Sequence, residues 1–153
     1  MTQSRKPKVM AVASGGGHWI QMMRIKPAFD HCDLTLVTVK PGYRVDAGDA
    51  RFLLIPDANR WKKWALVRCA CSVLLLLIRE RPDYVVTTGA APGYFAVRFG
   101  KWVGAKTVWI DSVANVDQLS LSGQKAGNHV DLWLTQWPHL ARPGGPAYWG
   151  QVL

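Results

Sequence analysis

The sequence predicts an α/β protein whose core is a parallel sheet with helices on both faces. Short apolar runs recur along the 153-residue chain, stretches with helical spacing separate several of them, and turns rich in glycine or hydroxyl residues follow them. Strands that alternate with helices form parallel sheets. The length suffices for one domain with a full core, so residues 1–153 are expected to form a single domain.

The first half of the chain is predicted to contain three strands and two helices. Apolar runs predict strands over residues 9–13, 33–39 and 52–55, after a loose polar start over residues 1–7. Helical spacing predicts a helix from about residue 19 to near residue 27 and a long helix over residues 60–81. Residues 40–50 contain proline, glycines and charges of both signs, so we expect a surface loop there.

The second half continues the alternation. Strands are predicted over residues 84–88, 107–110 and 132–135, with a helix over residues 94–103 after a small-residue turn at 89–93. Residues 115–127 look irregular. Residues 138–153 begin with a proline- and glycine-rich stretch, which is typical of the approach to a domain boundary. Together these elements predict a Rossmann-like sheet.

A glycine loop between the first strand and the first helix predicts a phosphate site. It reads Ser14, Gly15, Gly16, Gly17 and His18. Glycines let the backbone approach an anion, and a helix N-terminus directs N–H groups at it. A plain strand-to-helix turn is the alternative. Ile20 replaces the third small residue of the dinucleotide fingerprint, and His18 replaces the lysine of the nucleotide P-loop. We therefore expect no NAD site and no Walker-type ATPase.

Further polar turns are expected at the same edge of the sheet as the glycine loop. Thr88 and Gly89 follow the fourth strand, and Asp111 and Ser112 follow the fifth. In parallel sheets, ligands bind beyond the carboxyl ends of the strands. The sequence therefore predicts one site that these turns share.

Composition indicates an anionic partner. The formal net charge is +9, which suits a nucleic acid, a phosphate ligand or an acidic membrane surface. The three cysteines are too few and too poorly spaced for a disulfide framework or a zinc site, so a reduced, cytosolic protein is expected. We expect no cofactor and no metal ion.

The long helix over residues 60–81 has two interpretations. Its apolar centre of about fifteen residues would measure only ~22 Å, whereas a bilayer core is ~30 Å thick. A spanning helix is therefore disfavoured. The helix is either buried in the core or partly sunk into a membrane interface. In the second case the contacts would come from its basic, tryptophan-bearing start: Arg60, Trp61, Lys62, Lys63 and Trp64.

Several stretches resemble a known family. Residues 109–123, which end in Leu-Ser-Leu-Ser-Gly, and residues 136–138, Gln-Trp-Pro, resemble signatures of the acceptor-side, membrane-anchor subunit of the dolichol-linked N-acetylglucosaminyltransferase. Bacterial capsule and exopolysaccharide proteins of the PssD and CpsF kind are similar. The glycine–histidine loop also resembles the family's Ser-Gly-Gly-His loop and, more distantly, that of MurG.

The resemblance implies the N-terminal half of a GT-B glycosyltransferase. The other half would be a separate subunit that carries the UDP-sugar site, and residues 138–153 would face it. The implied reaction transfers a hexosyl unit, with glucuronosyl and N-acetylglucosaminyl as the candidates, to a polyprenyl-diphosphate-linked saccharide in exopolysaccharide or capsule synthesis. The subunit would be inactive alone and peripheral on the cytoplasmic face of the inner membrane.

The resemblance also suggests roles for individual residues. His18 would contact the acceptor diphosphate or deprotonate the acceptor hydroxyl, and Asp111 would orient His18 or bind the acceptor sugar; a capping histidine and a solvated carboxylate are the alternatives. Gln21 stands where the family often has glutamate. The expected acceptor- and phosphate-binding residues are Ser14, Gly15, Gly16, Gly17, Thr88, Gly89, Ser112, Ser120 and Ser122.

Two other functions stay open at this point. The charge alone would suit a basic nucleic-acid-binding domain, although no helix-turn-helix, zinc module or aromatic RNA-binding strand is recognisable. The chain could also be a self-sufficient small glycosyltransferase with a compact nucleotide site.

Overall fold

A computed structural model describes residues 5–152 and shows a seven-stranded sheet in which every neighbouring pair of strands is parallel. The strands are β1 (Lys8–Val12), β2 (Asp33–Thr38), β3 (Arg51–Leu54), β4 (Tyr84–Thr87), β5 (Lys106–Ile110), β6 (Leu132–Thr135) and β7 (Ala147–Tyr148). Their order is β3-β2-β1-β4-β5-β6-β7. The predicted start over residues 1–7 lies partly outside the described residues.

Five α-helices accompany the sheet in residues 5–152. They are α1 (Gly17–Ile25), α2 (Arg44–Ala47), α3 (Lys63–Glu80), α4 (Ala90–Gly100) and α5 (Leu121–Gly127). Short 3₁₀ turns occupy Lys26–Phe29, Pro41–Tyr43 and Pro138–Leu140.

Helices cover both faces of the sheet, as predicted. Along β1, Met10 and Val12 belong to the larger core cluster, to which α3, α4 and α5 contribute. Ala11 and Ala13 alternate with them and pack in the smaller cluster with Trp19 of α1. This alternation arises because successive side chains of a strand point to opposite faces.

The strand order places β1 and β4 at a topological switch point. The chain moves from β1 to β2 and β3 on one side, and from β4 to β5, β6 and β7 on the other. The loops that leave β1 and β4 therefore diverge and open a crevice at their carboxyl ends, where ligands bind in such sheets.

The regions expected to lack structure contain three elements that the sequence analysis missed. α2 lies within residues 40–50, and β7 extends the sheet from within residues 138–153 by pairing with β6. α5 lies within residues 115–127. It begins because the side chain of Ser120 accepts a hydrogen bond from the N–H of Gly123 and caps the helix.

Three helix boundaries also differ from the prediction. α1 begins at Gly17, two residues early, and α3 begins at Lys63 rather than at residue 60. α4 covers Ala90–Gly100, so the predicted turn at 89–93 already forms its first residues. Pro92 fits there because the first helical turn needs no N–H donors.

Candidate functional site

An open cleft of about 440 Å³ lies at the carboxyl edge of the sheet, beside the switch point. It brings together four of the predicted site residues, His18, Ser112, Ser120 and Ser122. The remaining lining residues are Arg60, Ala90, Ala114, Asn115, Gln118, Leu119 and Leu121. The lining contains an arginine and a histidine but no carboxylate, so the cleft favours an anionic ligand.

His18 and Thr88 bind each other in both directions. The Nδ1 atom of His18 lies 2.8 Å from the carbonyl oxygen of Thr88, and the Thr88 hydroxyl donates to the carbonyl oxygen of His18 at 2.7 Å. A carbonyl oxygen can only accept, so Nδ1 must carry the proton. The lone pair of the ring then resides on Nε2, which has no hydrogen-bond partner within residues 5–152. Nε2 can therefore accept a proton from a ligand in the cleft.

Gly89 makes room for the ring of His18. Its φ is +124°, and a Cβ atom at this position would lie 2.8 Å from Cε1 of His18. Ala90, the next residue, also has a positive φ of 66° and lines the cleft. The turn after β4 is thus shaped around the histidine, and any side chain at position 89 would displace it.

The glycine loop is supported by a segment that the sequence analysis treated as a plain loop. The N–H of Gly16 donates to the hydroxyl of Tyr43 at 2.9 Å, and the Tyr43 ring stacks on Trp19 with centroids 4.8 Å apart. The side chain of Lys40 lies against Gly15. Gly16 has a φ of +66° with open space around its missing Cβ, but its N–H is taken by Tyr43. The N–H of Gly17, which is exposed, has no partner within residues 5–152 and is available to a ligand.

Ser14 and Thr88 contribute mainly through their backbones. The carbonyl oxygen of Ser14 accepts a long hydrogen bond of 3.5 Å from the Thr38 hydroxyl, and neither Ser14 nor Thr88 lines the cleft. The Thr88 hydroxyl is already occupied by His18. Both residues therefore shape the loops around the site.

Asp111 holds the start of α5 and forms no hydrogen bond with His18 in the described structure. It is 2% exposed. One carboxylate oxygen accepts from the Ser120 hydroxyl and from Nε1 of Trp109, and the other accepts from the N–H of Ser120 at 2.9 Å. The expectation that Asp111 orients His18 therefore has no support in this geometry, because Ser120 and Trp109 occupy its oxygens.

The three predicted serines that line the cleft differ in how far they are available to a ligand. The Ser120 hydroxyl donates to Asp111 and accepts from Gly123 at 2.9 Å, so it is engaged in structure. The Ser112 hydroxyl accepts from Gln21 and from the N–H of Ala114. Ser122 lines the cleft, and its hydroxyl has no partner within residues 5–152. Ser122 is thus the most available of the three.

A buried pair of glutamines lies behind the cleft and is bonded to the cleft-lining Ser112. Gln21 is 5% exposed and Gln136 is 2% exposed. The side-chain oxygen of Gln21 accepts from Nε2 of Gln136 at 2.6 Å and from the N–H of Val113 at 3.0 Å, while its Nε2 donates to the Ser112 hydroxyl at 3.0 Å. The sequence could have indicated this role, because Gln21 lies next to Met22 on the buried side of α1. A buried amide needs hydrogen-bond partners, so such a position predicts a polar network.

The basic start of the long helix divides between two surfaces. Arg60 lines the cleft, whereas Trp61 and Trp64 are 79% and 82% exposed. A stripe of exposed apolar side chains continues from Trp64 along α3 at helical spacing. It comprises Trp64, Val67, Cys71, Leu75 and Ile78, and we call it the α3 stripe.

The stripe shows that α3 is not fully buried. Its other side, with Cys69, Val73 and Leu77, belongs to the core. No helix within residues 5–152 combines the length and the apolar character that a membrane span requires. One side of α3 therefore lies in the core, and the other side is exposed.

The fold and the position of the cleft define the class of protein. The sheet resembles MurG of Acinetobacter baumannii with a TM-score of 0.74 and 12% identity, covering 93% of this chain and 45% of MurG. It also resembles the UDP-N-acetylglucosamine 2-epimerase of Rickettsia bellii with a TM-score of 0.70 and 16% identity, over 88% of this chain and 40% of the epimerase. The chain thus has the Rossmann-like N-terminal half of a GT-B fold and spans less than half the length of these structures.

Sequence comparison identifies the family within this class. The chain belongs to the family described as oligosaccharide biosynthesis protein Alg14 like, which matches residues 60–152. The UDP-N-acetylglucosamine transferase subunit ALG14 of Yarrowia lipolytica is 25% identical over 163 residues, covering 88% of this chain and 76% of that protein. The subunit of the same name from Schizosaccharomyces pombe is 40% identical over 67 residues, which cover 39% of this chain and 31% of that protein. The family predicted from the sequence is confirmed.

Proposed function

We propose that this chain is the acceptor-binding subunit of a two-component glycosyltransferase. The complex transfers a sugar from a UDP-sugar to a saccharide linked to a polyprenyl diphosphate. N-acetylglucosamine is the sugar that the names of the Yarrowia and Schizosaccharomyces relatives suggest. Synthesis of an exopolysaccharide or capsule at the cytoplasmic face of the inner membrane remains the proposed context.

The observation that carries this proposal is the state of His18 in the cleft. Its Nδ1 proton is held by the Thr88 carbonyl, which leaves Nε2 as the proton acceptor. The acceptor hydroxyl attacks C1 of the donor sugar and passes its proton to Nε2. The bond between C1 and the diphosphate oxygen breaks, and UDP leaves with the electron pair. This is general base catalysis, which typically contributes 10²–10⁴-fold to the rate.

The lining of the cleft suits the diphosphate of the acceptor. Arg60 supplies a positive charge, and the exposed Gly17, whose N–H has no partner within residues 5–152, lies at the start of α1, beside His18. A helix N-terminus favours an anion through its N–H groups and its dipole. The cleft therefore suits a phosphate group better than it suits an uncharged sugar.

Membrane association is proposed through the α3 stripe and the basic segment before it. An exposed apolar stripe preceded by Lys62 and Lys63 has the composition of an interfacial helix, in which lysine and arginine contact anionic headgroups. Trp61 and Trp64 add the amphipathic rings that favour the headgroup level of a bilayer. Because the same segment reaches the cleft, a lipid-linked acceptor can approach it from the membrane.

The second subunit is proposed to bind near residues 138–153. Trp149 is 71% exposed and lines a groove with Ile110 and Leu134 on the sheet. The segment is anchored to the body of the domain, because the N–H of Val152 donates to Gln136 and Arg24 donates to the Val152 carbonyl. An ordered segment with an exposed tryptophan is suited to hold the half that carries the UDP-sugar.

A reconstitution experiment tests the proposal. Calorimetry should detect no binding of UDP-N-acetylglucosamine to this chain alone. Co-expression with a second GT-B-type half should restore both binding and transfer to a polyprenyl-diphosphate-linked acceptor. Turnover by the lone chain would instead favour the self-sufficient enzyme, and tight RNA or DNA binding without acceptor binding would favour the nucleic-acid domain.

A further inference from the structure

Arg60 occupies a different place from the one its sequence context predicts. The sequence groups it with Lys62 and Lys63 as a membrane contact, but the structure places it on the wall of the cleft, together with His18 and Ser122. It is the one lysine or arginine among the cleft-lining residues of the described chain, and none of those residues is acidic. Arg60 therefore contributes the main positive charge of the cleft.

The guanidinium of Arg60 is available to a ligand. No carboxylate within residues 5–152 forms a salt bridge with it, in contrast to Arg51, which is paired with Glu80 at 2.6 Å. Its Cζ atom lies 5.0 Å from the centroid of the Trp61 ring. Contact with an aromatic face orients a guanidinium and leaves N–H donors at its edge. The group is thus oriented by the protein but not neutralised by it.

We propose that Arg60 binds the diphosphate of the lipid-linked acceptor and makes the cleft selective for a lipid diphosphate over a lipid monophosphate. This inference rests on the proposed function. A guanidinium donates two parallel hydrogen bonds to oxyanions, so it can contact both phosphates or two oxygens of the second one. A monophosphate has no second phosphate to offer to Arg60 and would gain less from this contact.

The position of Arg60 supports a lipid as the source of the diphosphate. Arg60 directly precedes Trp61, and the α3 stripe begins at Trp64. An amphiphile can therefore place its anionic head against Arg60 and keep its prenyl chain along the exposed apolar surface. A nucleoside diphosphate has no prenyl chain that could pack against that surface.

Binding of short, soluble isoprenyl phosphates tests this inference without membranes. Calorimetry should show that the chain binds geranyl diphosphate more tightly than geranyl monophosphate. Arg60→Gln should weaken geranyl diphosphate binding about tenfold or more and leave geranyl monophosphate binding nearly unchanged. Arg60→Lys should show an intermediate loss because it keeps the charge but not the planar pair of donors.

Arg98→Gln is the matched control, because Arg98 also stacks on a tryptophan, at 5.9 Å from the ring of Trp102, but does not line the cleft. It should keep the wild-type preference. If Arg60→Gln also prefers geranyl diphosphate over geranyl monophosphate as strongly as the wild type, the role proposed for Arg60 is contradicted, while the proposed function stands. If the wild-type chain binds no geranyl diphosphate, both are wrong. Displacement by UDP at lower concentration than by geranyl diphosphate would overturn the lipid as the source.

Discussion

The side-chain amide of Gln136, at the end of β6, donates a hydrogen bond of 2.6 Å to the side-chain oxygen of Gln21 in α1. This contact joins two elements that are 115 residues apart in the chain. It also connects the hydrogen bonds behind Ser112 to the C-terminal segment, because the Gln136 side chain accepts a hydrogen bond from the N–H of Val152. The loops around the cleft are therefore held by a buried polar network rather than by apolar packing alone.

Removing Gln21 from this network should loosen the loop after β5. We expect Gln21→Leu to lower the free energy of unfolding by about 2 to 4 kcal/mol, because Ser112, Val113 and Gln136 lose partners in a buried environment. Urea unfolding followed by circular dichroism measures the change. Gln118→Leu is the matched control, because Gln118 is exposed and its side chain has no hydrogen bond within residues 5–152. Equal stability of Gln21→Leu and wild type would contradict the role of the network.

His18→Ala should reduce the turnover of the assembled transferase by at least about 10²-fold, the lower range for the loss of a general base. His18→Gln should be similarly slow, because an amide cannot take up the proton. Initial rates at saturating donor and acceptor measure the effect. Near-wild-type turnover of His18→Ala would contradict the assignment of His18 as the general base.

Gly89→Ala should reduce activity by displacing the ring of His18, even though it removes no functional group. The added Cβ would lie 2.8 Å from Cε1 of His18, and the φ of +124° disfavours any residue other than glycine. We expect turnover to fall at least about tenfold. Gly104→Ala is a suitable control, because Gly104 also has a positive φ but has open space around it and lies far from the cleft in the turn after α4. An unchanged rate in Gly89→Ala would show that the position of the ring is not critical.

The thiols of α3 report directly on membrane contact. Cys71 is exposed on the α3 stripe, whereas burial, with a smaller effect of Asp57, raises the pKa of the Cys69 thiol to about 11. Because the thiolate is the reactive form, a maleimide should label Cys71 and spare Cys69. Vesicles that contain anionic lipid should slow labelling of Cys71 several-fold, as measured by mass spectrometry.

A cysteine on another surface provides the control for this experiment. Asp49→Cys in a Cys71→Ser background places the thiol at an exposed position just before β3, at the opposite edge of the sheet from the cleft. Its labelling should not respond to vesicles. Unchanged labelling of Cys71 in the presence of vesicles would argue that the stripe faces a protein partner instead.

Stability should decrease in acid because of Asp131, which joins α4 and β5. Burial alone would raise the pKa of Asp131, but hydrogen bonds from Lys101 and Thr107, each 2.8 Å, and the charge of Lys101 outweigh it and hold the pKa below 3.8. A carboxyl group whose pKa is lowered by folding stabilises the protein above its unfolded pKa, and this contribution disappears as the pH falls through the folded pKa.

Urea midpoints measured between pH 5 and pH 2.5 test this effect. The wild-type midpoint should fall below about pH 4, and Asp131→Asn should start lower and fall less steeply. Asp117→Asn, at an exposed position without a hydrogen bond in the described structure, should follow the wild-type curve. Parallel curves for Asp131→Asn and wild type would mean that other carboxyl groups dominate the acid transition.

The sequence by itself determined the fold class, the succession of the main strands along the chain and the edge of the sheet at which the cleft lies. Apolar runs such as residues 84–88 have few alternatives when the segments on both sides predict helices, and the carboxyl ends of parallel strands necessarily share one edge. The glycine loop and His18 were identified for the same reason, because their composition has a direct physical consequence for backbone and ligand.

Only the tertiary structure decided what each polar residue of the site does. Asp111 follows β5 in the sequence in a manner typical of a catalytic carboxylate, yet Ser120 and Trp109 take its oxygens. Arg60 reads as part of a basic run but lines the cleft. Hydrogen bonds between residues far apart in the chain depend on side-chain geometry in three dimensions, to which neither periodicity nor spacing along the sequence is sensitive.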